Sequence, residues 1–453
     1  MLWRLDAVEL AERIQRKDVT AQQVLDTHHQ HIHDVNPALN AIVLLNEQQR
    51  GEHLRPGPLH GVPFTVKDVF ATQGLRSTAG APGMELHIPG FDAASVTLLK
   101  GAGGMLLGKT NTPAFSADIQ CSSPVLGRAN NPWNPDMTTG GSSGGGAAAV
   151  ACGMSALELG SDHGGSLRIP ASFCGVVGFK PTAARVPMAG HLHAGSVATS
   201  EQHTIVCAGP IARRVRDVRL AMGVLGGVDG QRGPPRALRV AWIPSVSGLP
   251  MDPHLADALQ HAVDRIQAAG HTVHPHVWDA EVWKGAFSSW STLIGEELTT
   301  PIMAAARAWF RARAGTPRHS DVVRAARELR MDLTARVDSL LAQHDAILLP
   351  TTLCPAFTHR PMGTAVTIDG QECDYWLAAG AATSLASLTG HPALALPCGI
   401  TPSGLPLSLQ LVGRRQGDAE LLDVAEVVES LLERLPFPDH ASLRVTGTRA
   451  SSR

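Results

Sequence analysis

The sequence is poor in features that mark several classes of protein. Aromatic residues make up 4% of its 453 residues, and 38 Lys and Arg nearly balance 40 Asp and Glu. No basic run or basic face stands out, so we expect neither a nucleic acid nor an acidic membrane surface as a partner. The few aromatic residues give no indication of an aromatic-lined pocket, although the eight tryptophans, among them Trp283, Trp290 and Trp309, could still supply one.

The chain also lacks segments typical of export or membrane insertion. It begins MLWRLD, and no apolar stretch of signal-peptide length follows. Two long uncharged stretches, 138–157 and 376–413, are rich in small residues or broken by prolines, which predicts buried core rather than membrane spans. The seven cysteines form no Cys-x-x-Cys pair, a pattern typical of reduced thiols. We therefore expect a cytoplasmic protein.

What the sequence does contain is an alternation of helix and strand patterns, which predicts an α/β fold. Short apolar runs predict strands, and Thr20-Ala-Gln-Gln23 matches a capping box at a helix start. Residues 147–157 predict a tightly packed helix of small residues. Composition changes after about residue 230, where long charged helical patterns begin. We expect one domain over 1–453, its core built from both chain ends, with a helical, pocket-forming insertion at about 230–345.

Two glycine-serine clusters are the strongest candidates for chemistry. Residues 140–146 read GGSSGGG and residues 160–170 read GSDHGGSLRIP, and the two flank a predicted helix. The two glycines before Ser166 can present backbone N–H groups to an oxyanion formed when that serine attacks a carbonyl. A serine needs a base, and Lys67, at the end of an apolar strand, could serve if burial keeps its amine neutral.

Two other motifs suggest different enzymes. Residues 103–110, GGMLLGKT, match the P-loop pattern in letters, but a strand-like Met-Leu-Leu fills the place of the glycine loop. Residues 140–144, GGSSG, match a nucleophile elbow, which would make Ser142 the nucleophile. An elbow requires a strand directly before it, whereas residues 134–139 have the composition of a loop.

Histidines are the remaining candidates for a site. They form two groups, His28, His29, His31 and His33, and His271, His274 and His276. Neither group has cysteine partners or a helix-face motif containing glutamate, so we expect solvated histidines and no metal.

Residues 140–182 read GGSSGGGAAAVACGMSALELGSDHGGSLRIPASFCGVVGFKPT, and this stretch closely resembles the amidase signature family. Shorter matches agree, and the resemblance covers roughly residues 5–430. The shorter matches are GVPFTVKD at 61–68, GKTN at 108–111, NPWN at 131–134, GPIAR at 209–213 and GLPLSLQLVG at 404–413.

The resemblance implies a role for each matching residue. Lys67 would be the base, Ser142 the relay serine and Ser166 the acylated nucleophile, with the two serines 24 positions apart as the family has them. It also implies a cis peptide bond at Gly141-Ser142. The oxyanion donors would be the backbone amides of His163, Gly164, Gly165 and Ser166. Supporting residues would be Ser143, through a hydrogen bond to Lys67, and the charged pair Asp162 and Arg168.

The family further implies a large twisted mixed β-sheet covered by helices on both faces and hydrolysis of a small amide without metal or cofactor. Homodimers are frequent in the family. The alternative is a subunit that releases ammonia for a partner protein. Such subunits carry an acidic MDEF-like segment where residues 112–115 read TPAF, which favours a stand-alone amidase. Departures at Gly146, His163 and Ser387 affect the expected substrate rather than the catalytic groups.

Overall fold

The computed structural model describes residues 1–51, 54–191, 205–228, 236–297 and 320–439. Within these ranges there are eleven α-helices, α1 to α11: Ala7–Gln15, Ala21–Leu39, Ala94–Gly101, Gly144–Ala151, Arg168–Cys174, Val215–Gly226, Pro253–Ala268, Ala280–Glu297, Ser320–Gln343, Tyr375–Thr389 and Asp418–Leu431. The fifteen strands of the same ranges, β1 to β15, are Ile42–Leu45, Pro63–Lys67, Met105–Thr110, Ser122–Ser123, Gly127–Arg128, Leu157–Asp162, Val177–Lys180, Cys207–Ala212, Arg239–Trp242, Thr272–Pro275, Ala346–Pro350, Val366–Ile368, Gln371–Cys373, Ala393–Ile400 and Pro406–Val412.

Eleven strands form one mixed sheet in the order β1-β3-β2-β6-β8-β7-β14-β15-β11-β9-β10. Strands β3, β2 and β6 run parallel to one another, as do β11, β9 and β10. The pairs between these two groups are antiparallel. The sheet is thus large and mixed, as the resemblance implies.

Alternate residues of β11 pack into two separate hydrophobic clusters, which places helices on both faces of the sheet. Ala346 and Leu348 belong to the cluster that includes α7 and α11. Ile347 and Leu349 belong to the cluster that includes α8, α9 and α10. The predicted α/β class with helices on both faces is therefore confirmed.

The segment at about 230–345 contributes strands as well as helices. It contains β9 and β10, which extend the sheet at one edge through parallel pairing to β11. It also contains α7, α8 and α9, and the last two of these pack against each other. Its helices are therefore anchored to the same sheet as the rest of the chain.

Helix α2 begins where the sequence predicts. The Gln23 amide donates to Thr20 Oγ1 at 3.1 Å, and the Thr20 amide donates to Gln23 Oε1 at 2.9 Å. This reciprocal pair satisfies two of the amides that a helix start leaves without intrahelical partners.

The two uncharged stretches of the sequence lie in internal elements of the fold. Residues 138–157 supply α4, and residues 376–413 supply most of α10 together with β14 and β15. No helix in the described part of the chain has both the length and the apolar character needed to cross a bilayer. All seven cysteines are free, and six of them are buried.

The small-residue helix is shorter than the sequence predicts. It spans Gly144–Ala151, whereas residues 147–157 were expected to be helical, and Leu157 already begins β6. The prediction was wrong because Gly153, with a φ of 73°, turns the chain in the left-handed region that glycine adopts readily. Small residues let the helix approach its neighbours closely. A Cβ on Gly145 would lie 2.4 Å from the amide nitrogen of Asn111.

We expect Gly145→Ala to destabilise the protein by about 1–3 kcal/mol, because the added methyl group meets backbone rather than a flexible side chain. The matched control is Gly223→Ala in α6, where a Cβ would lie 3.5 Å from its nearest neighbour, the Val228 carbonyl oxygen. There the only effect is that alanine has a higher helix propensity than glycine, so the variant should be more stable than the wild type by up to about 1 kcal/mol. Urea unfolding of both variants measures the difference, and equal losses would contradict the close approach of α4.

Candidate active site

The candidate residues meet because β2 and β6 are adjacent parallel strands. Lys67 is the last residue of β2, and Asp162 is the last residue of β6. Parallel strands end at the same edge of a sheet, and this edge is where α/β folds form their sites. The loop over residues 140–143 leads into α4, and the loop over residues 163–167 leads into α5 at the same edge.

Lys67 contacts the first predicted serine directly. Its Nζ lies 2.6 Å from Ser142 Oγ and 3.2 Å from Ser161 Oγ. The lysine side chain is fully buried, and both serines are buried as well. A buried amine bonded only to neutral hydroxyls has little to stabilise its charged form.

Burial lowers the pKa of Lys67 to about 7, opposed by Cys121, Asp162 and Glu158. Burial also raises the pKa of the Cys121 thiol to about 12, so that thiol is neutral where the lysine titrates. The charged groups that favour the lysine ammonium are therefore Asp162 and, above its own pKa of about 7, Glu158. A lysine with such a pKa is in large part a neutral amine near pH 7 and can accept a proton.

The peptide bond between Gly141 and Ser142 is cis, as predicted. The loop that carries it packs against the backbone of residues 118–120. A Cβ on Gly141 would lie 2.6 Å from the carbonyl oxygen of Asp118 and 2.7 Å from that of Gln120. Only glycine fits this position without a shift of backbone, which explains one glycine of the GGSSGGG cluster.

Ser143 does not make the hydrogen bond that the resemblance implies. Its Oγ donates to the Ser161 carbonyl oxygen at 3.3 Å, and its amide donates to the Ser166 carbonyl oxygen at 3.2 Å. The second hydroxyl at Lys67 belongs to Ser161 instead. Ser143 therefore joins the two loops of the site and reaches the lysine only through Ser161.

Asp162 and Arg168 form a fully buried, bidentate ion pair. Arg168 Nε lies 3.0 Å from Asp162 Oδ2, and an Nη lies 2.9 Å from Oδ1. The remaining guanidinium donors reach the Thr383 carbonyl oxygen, Gln410 Oε1 and Ser387 Oγ. Burial alone would raise the pKa of Asp162, but the Arg168 charge outweighs it and holds that pKa at about 2.

Only some of the four predicted oxyanion donors remain available. The Gly165 amide donates to Asp162 Oδ1 at 2.7 Å, so it is committed within the protein. The amides of Gly164 and Ser166 donate to no acceptor in the described ranges. Burial, with a further contribution from the Lys67 charge, lowers the pKa of the His163 imidazole to about 4, so this ring is neutral near pH 7.

A cavity of about 90 Å³ opens beside Ser166. Much of its wall is aromatic and aliphatic, including Ile169, Phe287, Trp290, Ile294 and Trp376, and the polar residues Ser116, Asp118 and His163 line it as well. The low aromatic content gave no indication of this wall, but Trp290, one of the tryptophans expected to be able to supply it, does so together with Phe287 on the same helix and Trp376 on α10. Trp283 instead lies in the core beside Trp278, and Trp309 lies outside the described residues.

Glu158 is a buried site residue that sequence reasoning missed. It pairs in register with Thr65, two residues before Lys67 on β2, so it shares the lysine's face of the sheet. Its Oε1 accepts a hydrogen bond from Thr110 Oγ1 at 2.7 Å, while its Oε2 makes none in the described ranges. Burial raises its pKa to about 7. The available signal was a charged residue inside the apolar run that leads to Asp162.

Gly146 provides the space that Glu158 occupies. A Cβ on Gly146 would lie 2.3 Å from Glu158 Cδ. Gly146, one of the departures from the pattern that the resemblance implies, is therefore linked to the buried glutamate, and it does not alter a group that contacts Ser142.

The alternatives raised by the sequence do not fit the structure. Residues 105–110 of the P-loop-like motif form β3, and Lys109 is buried with hydrogen bonds to Thr72 and Ser77. No strand directly precedes the GGSSG segment, so a nucleophile elbow is not formed. Across the ranges that the structure describes, no cluster of His, Cys, Asp and Glu could hold a metal ion.

A family model, Amidase, matches residues 22–422. The acylamidase of Rhodococcus erythropolis is 30% identical over 94% of this chain and 95% of its own length. A glutamyl-tRNA(Gln) amidotransferase subunit of Thermus thermophilus is 33% identical over 94% of this chain and 97% of its own length. The structure of a 6-aminohexanoate cyclic dimer hydrolase superposes with a TM-score of 0.84 at 27% identity, covering 97% of this chain and 99% of that one.

The chain therefore belongs to the amidase signature family. The match extends over nearly all of the chain and of its relatives, so the whole fold is shared and not the glycine-serine region alone. The relatives include both amide hydrolases and amidotransferase subunits.

We expect Arg168→Met to lower the free energy of unfolding by about 3–5 kcal/mol, because it leaves the Asp162 carboxylate buried without its partner. The control is Arg415→Met, which removes a half-exposed ion pair with Asp338, 2.6 Å long, and should cost at most about 1 kcal/mol. Denaturant midpoints compare the two. A loss no larger than that of the control would show that Asp162 does not depend on the guanidinium.

Proposed function

We propose that the protein is a hydrolase that cleaves a linear carboxylic amide or ureide to an acid and ammonia or an amine. Ser166 is the nucleophile, Ser142 the proton relay and Lys67 the base. The observation that carries the proposal is the 2.6 Å contact between Lys67 Nζ and Ser142 Oγ, made by a buried lysine whose pKa is near 7. Membership of the amidase family supports it.

Each proton in the proposed reaction moves along the same path. Neutral Lys67 accepts the proton of Ser142 Oγ, which accepts that of Ser166 Oγ as this oxygen bonds to the amide carbon. When the C–N bond breaks, the ammonium of Lys67 returns a proton through Ser142 to the leaving amine. Water then attacks the acyl-enzyme by the same route and releases the acid.

The negative charge on the substrate oxygen requires N–H donors. Of the four amides that the resemblance implies, we propose those of Gly164 and Ser166, because the Gly165 amide is committed to Asp162. The amide of His163 adjoins them in the same loop. Fixed donors of this kind stabilise the transition state without the reorganisation that water would need.

The walls of the cavity support an apolar acyl group. Phe287, Trp290 and Trp376 surround it together with Ile169 and Ile294. Moving an aryl or a larger aliphatic group from water into such a space stabilises the complex, whereas urea and acetamide bury too little apolar surface to be stabilised in this way. Among the amides and ureides open to this site, we therefore propose those with an aromatic or branched apolar group.

A second candidate is an amidotransferase-type subunit that supplies ammonia to a partner protein. The identity of 33% to the amidotransferase subunit of Thermus thermophilus favours it. Residues 112–115, TPAF, lack the acidic segment of such subunits, which supports a stand-alone enzyme. We also propose that the protein is a homodimer and that it is located in the cytoplasm. The seven free cysteines support the cytoplasmic location.

We expect the wild type to release ammonia or amine from members of a panel of aryl and aliphatic amides and ureides, and Ser166→Ala to release none. The control, Ser288→Ala, removes an exposed hydroxyl on α8 that contacts only its own helix and should keep full activity. Full activity of Ser166→Ala would show that Ser166 is not the nucleophile. If the wild type and both variants are inactive, the amidotransferase-type role is favoured, and the next experiment is to identify a partner protein that co-purifies with the chain.

We expect kcat/KM to fall below about pH 7, because Lys67 becomes protonated there and cannot accept the proton of Ser142. Glu158→Gln should move this fall to lower pH, since it removes an anion that stabilises the lysine ammonium. Asp217→Asn is the control, because it replaces another buried carboxyl, which accepts a hydrogen bond from the Val8 amide and is not among the groups that shift the Lys67 pKa. If the pH profiles of kcat/KM have the same midpoint in the wild type and in Glu158→Gln, the glutamate does not influence the pKa of the lysine.

A further inference from the structure

Trp290 of α8 reaches across to the loop that follows β6. Its indole Nε1 donates a 2.7 Å hydrogen bond to the carbonyl oxygen of His163. A Cβ on Gly164 would lie 2.3 and 2.6 Å from two carbons of the indole ring. The indole is therefore in direct contact with the backbone of the loop as well as with the cavity.

The bonded carbonyl and a candidate oxyanion donor belong to one peptide group. The carbonyl of His163 and the N–H of Gly164 lie in the same plane and, in a trans peptide, point in opposite directions. A hydrogen bond that fixes the carbonyl also fixes the direction of the N–H. It polarises the group in the sense that makes the N–H a stronger donor.

The next peptide group is held differently. Its carbonyl, that of Gly164, accepts from Thr383 Oγ1 at 2.6 Å, and its N–H, that of Gly165, donates to Asp162 at 2.7 Å. Both ends of that group are satisfied by protein. The group between His163 and Gly164 is held at the carbonyl end by Trp290, and the Gly164 N–H donates to no acceptor in the described ranges.

From this difference we propose that Trp290 is a positioning residue, which aims the Gly164 N–H at the substrate oxygen in the transition state. The inference rests on the proposed acyl transfer to Ser166. It assigns to the indole a role beyond that of a pocket wall, because a ring of the same shape without an N–H donor could not hold the carbonyl of His163.

The test compares Trp290→Phe with the matched variant Trp283→Phe. Phenylalanine keeps an aromatic ring in place but has no N–H. Trp283 lies on the same helix, is buried, and its Nε1 makes no hydrogen bond in the described ranges, so its replacement controls for damage to α8. The probes are a hydrolysed amide, its product acid and the corresponding aldehyde, which forms a tetrahedral adduct with a serine.

We expect kcat of Trp290→Phe to fall about 10-fold, less than the ~10²–10³-fold loss on removing an oxyanion donor itself. The aldehyde should lose about 10-fold more affinity than the acid does, and KM should change no more than the acid affinity. The smaller ring at the cavity wall acts on both ligands alike, whereas the lost hydrogen bond acts only on the tetrahedral oxyanion. Trp283→Phe should match the wild type in all four quantities.

Two results would overturn the inference. One is unchanged kcat and aldehyde affinity in Trp290→Phe, and the other is a rise in KM alone, which would make the indole a pocket wall only. Both are distinguishable from failure of the proposed function, which appears in the wild type and in Ser166→Ala before any tryptophan is changed.

Discussion

The buried ion pair between Asp162 and Arg168 is the interaction on which the rest of the site depends. The carboxylate ends β6 and also holds the Gly165 amide, while the guanidinium begins α5 and reaches Thr383 on α10 and Gln410 on β15. One pair of side chains thus joins β6 and α5 to α10 and β15, which lie far away in the sequence. The loop with Ser166 lies between the two charged residues, so its path is determined at both ends.

Burial also determines the chemistry available at this edge of the sheet. The same removal from water lowers the pKa of Lys67 to about 7 and that of His163 to about 4, and it raises the pKa of Glu158 to about 7. Near neutral pH the site therefore contains an amine that can accept a proton and an imidazole that carries no charge. A histidine base is unnecessary when the lysine is desolvated to this degree.

The sequence predicted the parts of the site that lie within short motifs. Lys67 meets Ser142, and Asp162 meets Arg168, as expected: Lys67 and Asp162 end adjacent parallel strands, while Ser142 and Arg168 lie where the glycine-serine motifs lead into α4 and α5. Contacts between distant segments were missed or wrong. Ser161 rather than Ser143 bonds to the lysine, and the tryptophan that contacts the loop after β6 comes from α8, where no motif marks it. In the fold, the α/β class was predictable from alternating patterns, but the order of eleven strands was not, since nonlocal pairing determines it.

The close packing of Gly146 against Glu158 constrains how this sequence can have changed over time. A Cβ at position 146 would lie 2.3 Å from the carboxyl carbon of Glu158, so a side chain there would require the glutamate to move away from its hydrogen bond with Thr110. Serine at position 146 and glutamate at position 158 should therefore seldom occur together among relatives.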